Sequence, residues 1–341
     1  MPDLARVAVW RGGSEVCVEE VALPEPTTGE VLVRVDLATV CGSDHHTVSG
    51  RRPAPCPSVL GHEGVGSVVA SGPGAGVRPG QRVVWSVTVS CGTCDRCRRG
   101  LTAKCRSVRK LGHEAYDGPG GRWPLSGTYG THVLLPAGTA VVPVPVGLPD
   151  EVASPAGCAT ATVMAALERA GDLAGRRVLV TGAGMLGLTA TAAAVDAGAP
   201  EVVVVDVDPA RLELALGFGA TSTAAAGDRL PAVDVAMELS GAAAAVESCL
   251  GALDVGGVLV LVGSVTPGPP VALDPEDVVR RWLTLTGVHN YEPRHLERAV
   301  AFLAGSDRPW ADLVGEPVGL DRLADVLCAP MERPRAGVRP D

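Results

Sequence analysis

The chain has 341 residues, of which 46% are hydrophobic, 20% are charged and only 3% are aromatic, and its formal net charge at pH 7 is −9. This length exceeds what one hydrophobic core usually organises, so two domains are expected, and the composition excludes a disordered chain. The acidic balance excludes a nucleic-acid-binding protein, because neutralising phosphates needs a dense patch of Lys and Arg.

The sequence also lacks the apolar segments of an exported or membrane-embedded protein. Its N-terminus has no apolar core of signal-peptide length, and no apolar run approaches the ~18 residues that a membrane span needs. We therefore expect a cytoplasmic protein with no membrane partner. In a reducing compartment, its ten cysteines indicate metal ligation rather than a disulfide framework.

The N-terminal part of the chain is predicted to be rich in β-strands. Short runs of β-branched residues are separated there by turns that contain Gly and Pro. These runs are Val7–Trp10, Glu30–Val35, Gly64–Val69 and Arg82–Val87. Strands at this spacing predict an irregular barrel rather than a parallel sheet.

The pattern changes near residue 150, where Ser154–Gly171 has the composition of a helix and an alternation of strands and helices follows. The predicted strands are Arg177–Thr181, Glu201–Asp206, Val233–Glu238 and Val258–Val262, and the predicted helices are Leu186–Ala197, Asp208–Gly217 and Ala242–Leu253. This alternation predicts βαβ units and a parallel sheet. Val258–Val262 is expected to be the last strand and an exposed edge, and therefore a candidate subunit contact.

Two further segments complete the chain. Arg294–Ala304 has the apolar spacing of an amphipathic helix. The tail from Met331 to Asp341 is rich in Pro and Arg and is expected to be loosely ordered.

Four cysteines lie within fifteen residues, at Cys91, Cys94, Cys97 and Cys105. Their thiolates can surround one zinc ion tetrahedrally and leave no open position, which is the arrangement of a structural site. Metal ligation would help to order a segment with little core of its own. An iron–sulfur cluster is the alternative, because cysteine quartets also hold such clusters.

The sequence GAGMLG, from Gly182 to Gly187, matches the G-x-G-x-x-G pattern in the context of a dinucleotide site: it follows a strand, opens a helix and precedes Asp206 at the next strand's end. We expect Gly182 to form the tight turn, Gly184 to admit the pyrophosphate and Gly187 to allow close packing. Asp206 would bind the ribose hydroxyls and repel a 2′-phosphate, which favours NAD over NADP. The other predicted cofactor contacts are Met185, Leu186, Arg211, Val262 and Gly263.

A third set of residues is dispersed: CGSDHH from Cys41 to His46, GHE from Gly61 to Glu63, and Cys158. Thiolate, imidazole and a third protein ligand leave one tetrahedral position free for water or substrate, as in a catalytic zinc site. Lone Cys and His residues are often structural. Spacing alone therefore leaves a metal site and a structural role equally open.

Together, these motifs resemble those of the zinc-containing medium-chain alcohol dehydrogenases, in order and in distance, over almost the whole chain. The resemblance implies an α/β protein with a GroES-like catalytic domain, an irregular β-barrel, at residues 1–155 and 290–341. A Rossmann NAD-binding domain would occupy residues 156–289, and the four-cysteine lobe about residues 88–110. Two zinc ions per chain, a small alcohol or carbonyl substrate, and a homodimer or homotetramer are also implied.

The resemblance assigns the catalytic zinc to three ligands. Cys41, His62 and Cys158 match the family's ligand positions, and the position of Cys158 is the one that varies most among members. Nearby acids that could replace Cys158 as the third ligand are Asp150, Glu151 and Glu168.

The resemblance also implies roles for the residues around this metal. Glu63 matches an acid beside the zinc, and Asp44 matches a carboxylate that orients the histidine ligand. Ser43 matches the hydroxyl that takes the proton of the substrate, and His46 matches the final proton acceptor. The adjacent His45 is expected to be a pocket wall or a surface residue.

The implied reaction is hydride transfer between a primary or secondary alcohol and NAD, in which zinc polarises the alcohol oxygen and Ser43 and His46 relay the proton. Carbonyl reduction in a biosynthetic or phosphonate pathway is an alternative, because both directions share a transition state. A zinc-free quinone reductase or crystallin-like relative is another, but such a protein would lack Cys41, His62 and the four-cysteine lobe.

The substrate is not specified by these motifs. Val288–Tyr291 and Arg280–Trp282 resemble a subgroup associated with phosphonate metabolism, but no arginine cluster is evident at the presumed pocket. Residues predicted to form the pocket or the nicotinamide side are Trp85, Val87, Tyr129 and Gly287–Asn290.

Overall fold

The computed structural model describes residues 3–341 and divides them into two compact units. One unit runs up to Ala161 and resumes at Glu292, and the other is Thr162–Tyr291. The strands are β1 (Leu4–Gly12), β2 (Glu15–Ala22), β3 (Val31–Val40), β4 (Ser58–Val59), β5 (Glu63–Ser71), β6 (Arg82–Val89), β7 (Arg109–Lys110), β8 (His132–Leu135), β9 (Thr139–Pro143), β10 (Arg177–Thr181), β11 (Glu201–Asp206), β12 (Ser222–Ala225), β13 (Val233–Glu238), β14 (Leu253–Leu261), β15 (Thr284–Gly287) and β16 (Ala336–Val338). The α-helices are α1 (Gly42–Val48), α2 (Asp95–Arg98), α3 (Asp150–Ala153), α4 (Ala159–Ala170), α5 (Met185–Asp196), α6 (Pro209–Gly217), α7 (Ala243–Ala252), α8 (Pro275–Arg280), α9 (Pro293–Ala304) and α10 (Leu323–Cys328).

The first unit is built mainly from antiparallel strands, as the N-terminal pattern predicts, and its buried side chains form two hydrophobic clusters. Its larger sheet has the order β16-β3-β5-β6-β7, with β8 beside β3 and β9 beside β6, and its smaller sheet has the order β2-β1-β4. The antiparallel register of β3 and β5 places Thr39 opposite Glu63. Cys41 follows one strand and His62 precedes the other, so the register brings these two residues to the same edge of the sheet.

The second unit is a Rossmann-type parallel sheet of order β12-β11-β10-β13-β14-β15. The predicted strands Arg177–Thr181, Glu201–Asp206 and Val233–Glu238 have the observed bounds, because continuous Val-rich runs are typical of strands buried on both faces. Helix α6 begins as predicted, with Pro209 in its first turn. The Asp208 carboxylate accepts a hydrogen bond from the Ala210 N–H at 2.9 Å.

The prediction of an exposed edge at Val258–Val262 is wrong. Strand β15 pairs in parallel with β14, with Val258 opposite Thr284, so β14 is an interior strand and β15 is the edge. Strand β15 has only four residues, too few to be recognised from its sequence, and tertiary pairing with β14 defines the strand.

The prediction of a loosely ordered tail is also wrong. Ala336–Val338 forms β16 and pairs antiparallel with Ala38–Val40 of β3. Arg335, immediately before it, is buried. An ionic contact of Arg335, described below, fixes a segment whose composition alone indicates disorder.

The predicted helix Ser154–Gly171 is interrupted. Helix α3 and a 3-10 turn at Ser154–Gly157 come before α4, and Cys158 between them has a non-helical backbone, with φ −129° and ψ −75°. Gly157 lies so close to the backbone of β6 that a Cβ atom would stand 2.5 Å from the Trp85 carbonyl oxygen. Within residues 3–341, none of the helices combines the length and the apolar character that crossing a membrane requires.

Candidate functional site

Four residues from separate parts of the first unit form a buried cluster of possible metal ligands. The ligand atoms of Cys41, His62, Glu63 and Cys158 all lie within 4.8 Å of one another. The first three residues are buried and Cys158 is half-buried. The structure thus brings together the two thiols and the imidazole that the sequence analysis assigns to a catalytic zinc.

Backbone geometry next to His62 requires a glycine. Gly61 has a φ of +88°, and a Cβ atom there would stand 2.4 Å from the Thr128 hydroxyl and 2.8 Å from the Tyr129 ring. Only glycine accepts both this conformation and this contact without strain. Gly61, immediately before His62, is therefore packed against Thr128 and Tyr129.

The Asp44 carboxylate lies beside the His62 imidazole, within ion-pair distance of Nδ1 but without a direct hydrogen bond to it. Asp44 Oδ1 lies 3.5 Å from His62 Nδ1, and His62 Nε2 lies 3.3 Å from Ser43 Oγ, on the side of the ring away from the carboxylate. Burial opposes protonation of His62, but Asp44 raises its pKa to about 10. The same carboxylate makes Nε2 more basic and so a better metal ligand.

Tyr129 bonds to Asp44, a contact that the sequence analysis did not predict. Its hydroxyl donates a hydrogen bond to Asp44 Oδ2 at 3.0 Å, and the same oxygen accepts the Cys41 N–H at 2.9 Å. Burial and the Asp44 charge both raise the pKa of Tyr129, so the hydroxyl remains protonated and able to donate. Of the three predicted pocket residues, Trp85 and Val87 are buried in the sheet, and the side chain of Tyr129 bonds to Asp44, next to the cluster.

We expect Tyr129→Phe to weaken zinc binding at the cluster about tenfold, because Asp44 loses the hydroxyl that holds it against His62. Competition with a chromogenic chelator measures the dissociation constant directly, without reference to catalysis. Tyr116→Phe is the matched control, since the Tyr116 hydroxyl donates instead to Glu19, remote from the cluster. Equal zinc affinity in wild type and Tyr129→Phe would show that the hydroxyl has no orienting role.

Glu63 is held by a buried arginine that the sequence analysis also missed. Arg335 Nε and Nη2 donate to the two Glu63 carboxylate oxygens at 2.6 and 2.7 Å, and the Thr39 hydroxyl donates to Oε2 at 2.7 Å. Burial raises the pKa of Glu63, and the Arg335 charge opposes this. Arg335 Nη2 also lies 3.5 Å from Cys41 Sγ. With its oxygens bonded in this way, Glu63 leaves two sulfurs and one imidazole as the donors that face one another.

The two thiols of the cluster differ in acidity. The hydrogen bond from the Cys158 thiol, followed by the charge of Arg335, lowers the pKa of Cys41 well below its usual value. The same hydrogen bond and burial raise the pKa of Cys158. A thiolate is therefore favoured at Cys41, and a Cys₂His donor set of this kind fits a catalytic zinc with one open position.

The predicted proton-relay residues lie on α1. Ser43 Oγ contacts His62, as described above, whereas no direct hydrogen bond joins Ser43 and His46 side chains among residues 3–341. Burial and the charge of Arg51 lower the pKa of His46, so its imidazole is neutral and able to accept a proton near pH 7. Nε2 of the neighbouring His45 is buried without a hydrogen-bond partner.

The four remaining predicted metal ligands form a second cluster. The sulfur of Cys94 lies 3.5 Å from that of Cys97 and 3.9 Å from that of Cys105, and the sulfurs of Cys105 and Cys91 are 3.4 Å apart. Four sulfurs around a tetrahedral zinc at about 2.3 Å would be about 3.8 Å apart. These spacings enclose room for one ion, and therefore favour zinc over an iron–sulfur cluster.

The lobe that carries this quartet is anchored to the rest of its unit by Glu292. The Glu292 carboxylate, at the N-cap of α9, accepts hydrogen bonds from the backbone N–H groups of Thr102 and Ala103 at 2.8 and 3.2 Å. The N-terminal end of a 3-10 turn is thereby capped from a distant part of the sequence.

In the second unit, the glycine turn has the geometry that the dinucleotide pattern predicts. Gly182 has a φ of +91°, and a Cβ atom at Gly187 would stand 1.7 Å from the Gly182 carbonyl oxygen. Gly184, at the N-cap of α5, faces open space, since no atom lies within 4 Å of its Cβ position. Asp206 Oδ2 accepts the Ala183 N–H at 2.6 Å, which holds the carboxylate beside the turn.

The other predicted cofactor residues have identifiable local contacts. Val262 and Gly263 donate their backbone N–H groups to the Glu238 carbonyl oxygen, both at 2.9 Å. A Cβ atom at Gly263 would stand 2.4 Å from the Gly241 nitrogen, so packing alone requires this glycine. Arg211 Nε lies 3.6 Å from Asp208 Oδ2, in an ion pair. Met185 is buried and Leu186 half-buried at the start of α5.

Glu238 is a buried acid at the end of β13 that the sequence analysis missed. Its Oε1 accepts hydrogen bonds from the Ser240 N–H and hydroxyl and from the Gly241 N–H, at 2.6–2.8 Å. This carboxylate orders the loop next to the glycine turn, where ligands bind in such sheets. A glutamate at the end of an apolar strand was the signal available in the sequence.

Known proteins resemble this chain along most of its length. The alcohol dehydrogenase GroES-like domain matches residues 27–146, and the zinc-binding dehydrogenase domain matches residues 186–305. An L-threonine 3-dehydrogenase from Anaeromyxobacter dehalogenans is 36% identical over 292 residues, which are 80% of this chain and 79% of the relative.

Solved structures agree with these matches. An alcohol dehydrogenase from Thermotoga maritima has a TM-score of 0.91 and 25% identity, covering 99% of this chain and 100% of the other. A zinc-binding dehydrogenase from Sinorhizobium meliloti 1021, bound to NADP, has a TM-score of 0.88 and 26% identity, covering 99% and 100% of the two chains. The chain therefore belongs to the zinc-containing medium-chain alcohol dehydrogenases, and it is a zinc-dependent, nicotinamide-dependent oxidoreductase of CH–OH donors.

Proposed function

We propose that this enzyme transfers a hydride between a secondary alcohol and NAD, with zinc held by Cys41, His62 and Cys158 and a structural zinc held by the four-cysteine lobe. The observation that carries this proposal is the bidentate bond between Glu63 and Arg335. With Glu63 engaged, a metal in the cluster keeps three protein ligands, and the fourth position is left for the substrate.

Zinc in such a site supplies Lewis acidity, which lowers the pKa of the alcohol hydroxyl toward neutrality. The protein's own part is to hold and move the proton. Ser43 lies next to His62 and takes the proton of the alcohol, and His46, neutral near pH 7, accepts it for release to solvent. Because the two side chains do not bond directly, we expect a cofactor hydroxyl or a water to connect them.

NAD is the nicotinamide cofactor that the second unit favours. Asp206 is held at the end of β11 by the Ala183 and Asp208 N–H groups, at 2.6 and 2.9 Å. A 2′-phosphate at this position would be repelled by the carboxylate. The open space above Gly184 and the N-terminus of α5 suit the pyrophosphate.

The choice of a secondary alcohol is supported by the curated relatives, several of which are named L-threonine 3-dehydrogenase. L-threonine carries its hydroxyl on a secondary carbon. L-threonine is therefore the first compound to be tried, before simpler secondary alcohols.

The test measures formation of NADH by the zinc-loaded enzyme with L-threonine, 2-butanol, 2,3-butanediol and cyclohexanol. We expect turnover of at least one of these alcohols, faster with NAD than with NADP. Ser43→Ala should lower kcat about 10²-fold, because it removes the first proton acceptor. Failure to oxidise any alcohol, or to reduce any corresponding ketone, with either cofactor would contradict the proposal.

A further inference from the structure

The Glu63 carboxylate lies close enough to the proposed zinc ligands to compete with a substrate for the metal. One of its oxygens is within 4.8 Å of the ligand atoms of Cys41, His62 and Cys158. Carboxylates are common zinc ligands, and a fourth protein ligand would close the site. An open position in this cluster therefore requires that Glu63 be held in place.

Arg335 is one restraint on this acid, and Thr39 is a second that comes from a different element. Thr39 lies directly opposite Glu63 in the antiparallel register of β3 and β5, so the two side chains share one face of the sheet. The Thr39 hydroxyl donates to Glu63 Oε2 at 2.7 Å, and both residues are fully buried. The sheet register thus sets this bond independently of the C-terminal tail that carries Arg335.

Ser154 orients the Thr39 hydroxyl. The Ser154 side chain is also fully buried, and its oxygen lies 3.1 Å from Thr39 Oγ1. A hydroxyl has one proton, and that of Thr39 is directed to the carboxylate, so Ser154 donates to Thr39. The two hydrogen bonds form a chain that points from Ser154 to Glu63, and in such a chain each bond strengthens the next.

This chain connects the three segments that carry the proposed zinc ligands. Ser154 belongs to the 3-10 turn that precedes Cys158, and Thr39 lies near the end of β3, shortly before Cys41. Glu63 is the first residue of β5. Thr39 is therefore the position at which the three segments are joined by hydrogen bonds.

We propose that Thr39 is a positioning residue, whose hydroxyl, oriented by Ser154, holds the Glu63 carboxylate away from the metal and keeps the fourth position open for the substrate. This role rests on the proposed function, which assigns the open position. Glu63 Oε2 accepts from two donors, Arg335 Nε and the Thr39 hydroxyl. Loss of the hydroxyl removes one of them, so ligation of the metal by this oxygen becomes more favourable.

The experiment measures azide binding to the enzyme with cobalt(II) in place of zinc. Azide changes the visible absorption of cobalt only at a metal with an open position, and the four-cysteine site has none. Thr39→Val removes the hydroxyl and keeps a side chain of similar size. We expect it to weaken azide binding about tenfold and to alter the absorption even before azide is added. Thr39→Ser, which keeps a hydroxyl, should bind azide within about threefold of the wild type.

A second substitution separates positioning from a purely structural role. Glutamine is a weaker metal ligand than glutamate, so Thr39→Val should no longer weaken azide binding when Glu63→Gln is also present. The reference for this double variant is Glu63→Gln alone. Thr191→Val is the matched control, because the Thr191 hydroxyl is equally buried but donates to the Gly187 carbonyl oxygen within α5. This control should bind azide as the wild type does.

Ser154→Ala is an independent test, because it leaves the bond of Thr39 to Glu63 in place but removes the group that orients it. We expect azide binding to weaken about threefold, since a bond between neutral groups is weaker than one to a charge. If Thr39→Val does not retain cobalt, this variant decides the question, and wild-type azide affinity in it would overturn the role of Thr39.

Two results with Thr39→Val would also overturn this role. One is an azide affinity equal to that of the wild type at full cobalt content, and the other is an equal loss with and without Glu63→Gln. Because azide binding requires no turnover, the comparison holds even if none of the alcohols is oxidised. Absence of azide binding to the wild-type cobalt enzyme would contradict the open position, and with it both this role and the proposed function.

Discussion

Alanine in place of Cys41 is expected to remove one of two zinc ions and to lower alcohol-dependent reduction of NAD at least about 10³-fold. The loss is this large because the Lewis acid contributes several kcal/mol to the transition state, and each 1.36 kcal/mol is about a tenfold change in rate. Cys41 is also the thiol whose pKa is lowered by Cys158 and Arg335, so it supplies the thiolate. Metal analysis and NADH absorbance measure both effects.

Two other cysteine variants make this result specific. Cys94→Ala should also remove one zinc, but from the four-cysteine lobe, and should lower stability more than it lowers the rate per folded molecule. Cys328→Ala changes an exposed cysteine outside both clusters, and should leave zinc content and rate unchanged. Full zinc content or persistent turnover in Cys41→Ala would refute Cys41 as a ligand.

Elements of the second unit were predictable because their signals are local. The valine runs of β10, β11 and β13, the glycine turn and the Asp208–Pro209 cap each occupy a few consecutive residues. Strand β15 was missed because Thr284–Gly287 is only four residues long, and its pairing with β14 is not visible in the sequence. Local patterns predict elements well, whereas pairing partners are set by the tertiary fold.

The proposed metal ligands were predictable for a different reason. Cys, His and Gly residues in the family's order can be recognised from the sequence as possible metal ligands and their neighbours. The residues that change the pKa or the orientation of those ligands cannot be recognised in this way. Arg335 lies in a Pro- and Arg-rich tail, and Tyr129 follows a run of small polar residues. Each bonds to an acid, Glu63 or Asp44, that is far away in the sequence.

Of these long-range contacts, the ion pair of Glu63 and Arg335 is expected to affect both the free energy of unfolding and the donor atoms available to a metal. Both side chains are buried, with 0% and 5% of their surface exposed. The pair joins β5 to the segment before β16, and so attaches the C-terminal tail to the cluster of possible metal ligands. A buried ion pair of this kind is weak evidence for net stabilisation. Removing one partner is nevertheless strongly destabilising, because the other charge is left buried and unpaired.

Arg335→Met is therefore expected to lower the free energy of unfolding by about 3–5 kcal/mol, because Glu63 is left buried and unpaired. Urea unfolding of the zinc-loaded enzyme measures the loss. The double variant Glu63→Gln with Arg335→Met should recover part of it, since no charge remains buried. Arg322→Met, which removes an arginine from an exposed ion pair with Asp325, should have little effect.

The loss of stability in Arg335→Met should depend on pH in a defined direction. Without Arg335, burial and the charge of Cys41 raise the pKa of Glu63 further above that of the unfolded chain, and only His62 opposes them. A folded state that binds this proton more tightly gains stability as pH falls, so the difference from wild type should be larger at pH 8 than at pH 6. In the Glu63→Gln, Arg335→Met double variant, this pH dependence should disappear. A deficit that is equal at both pH values, or that persists undiminished in the double variant, would show that Arg335 stabilises the tail by packing and not by neutralising Glu63.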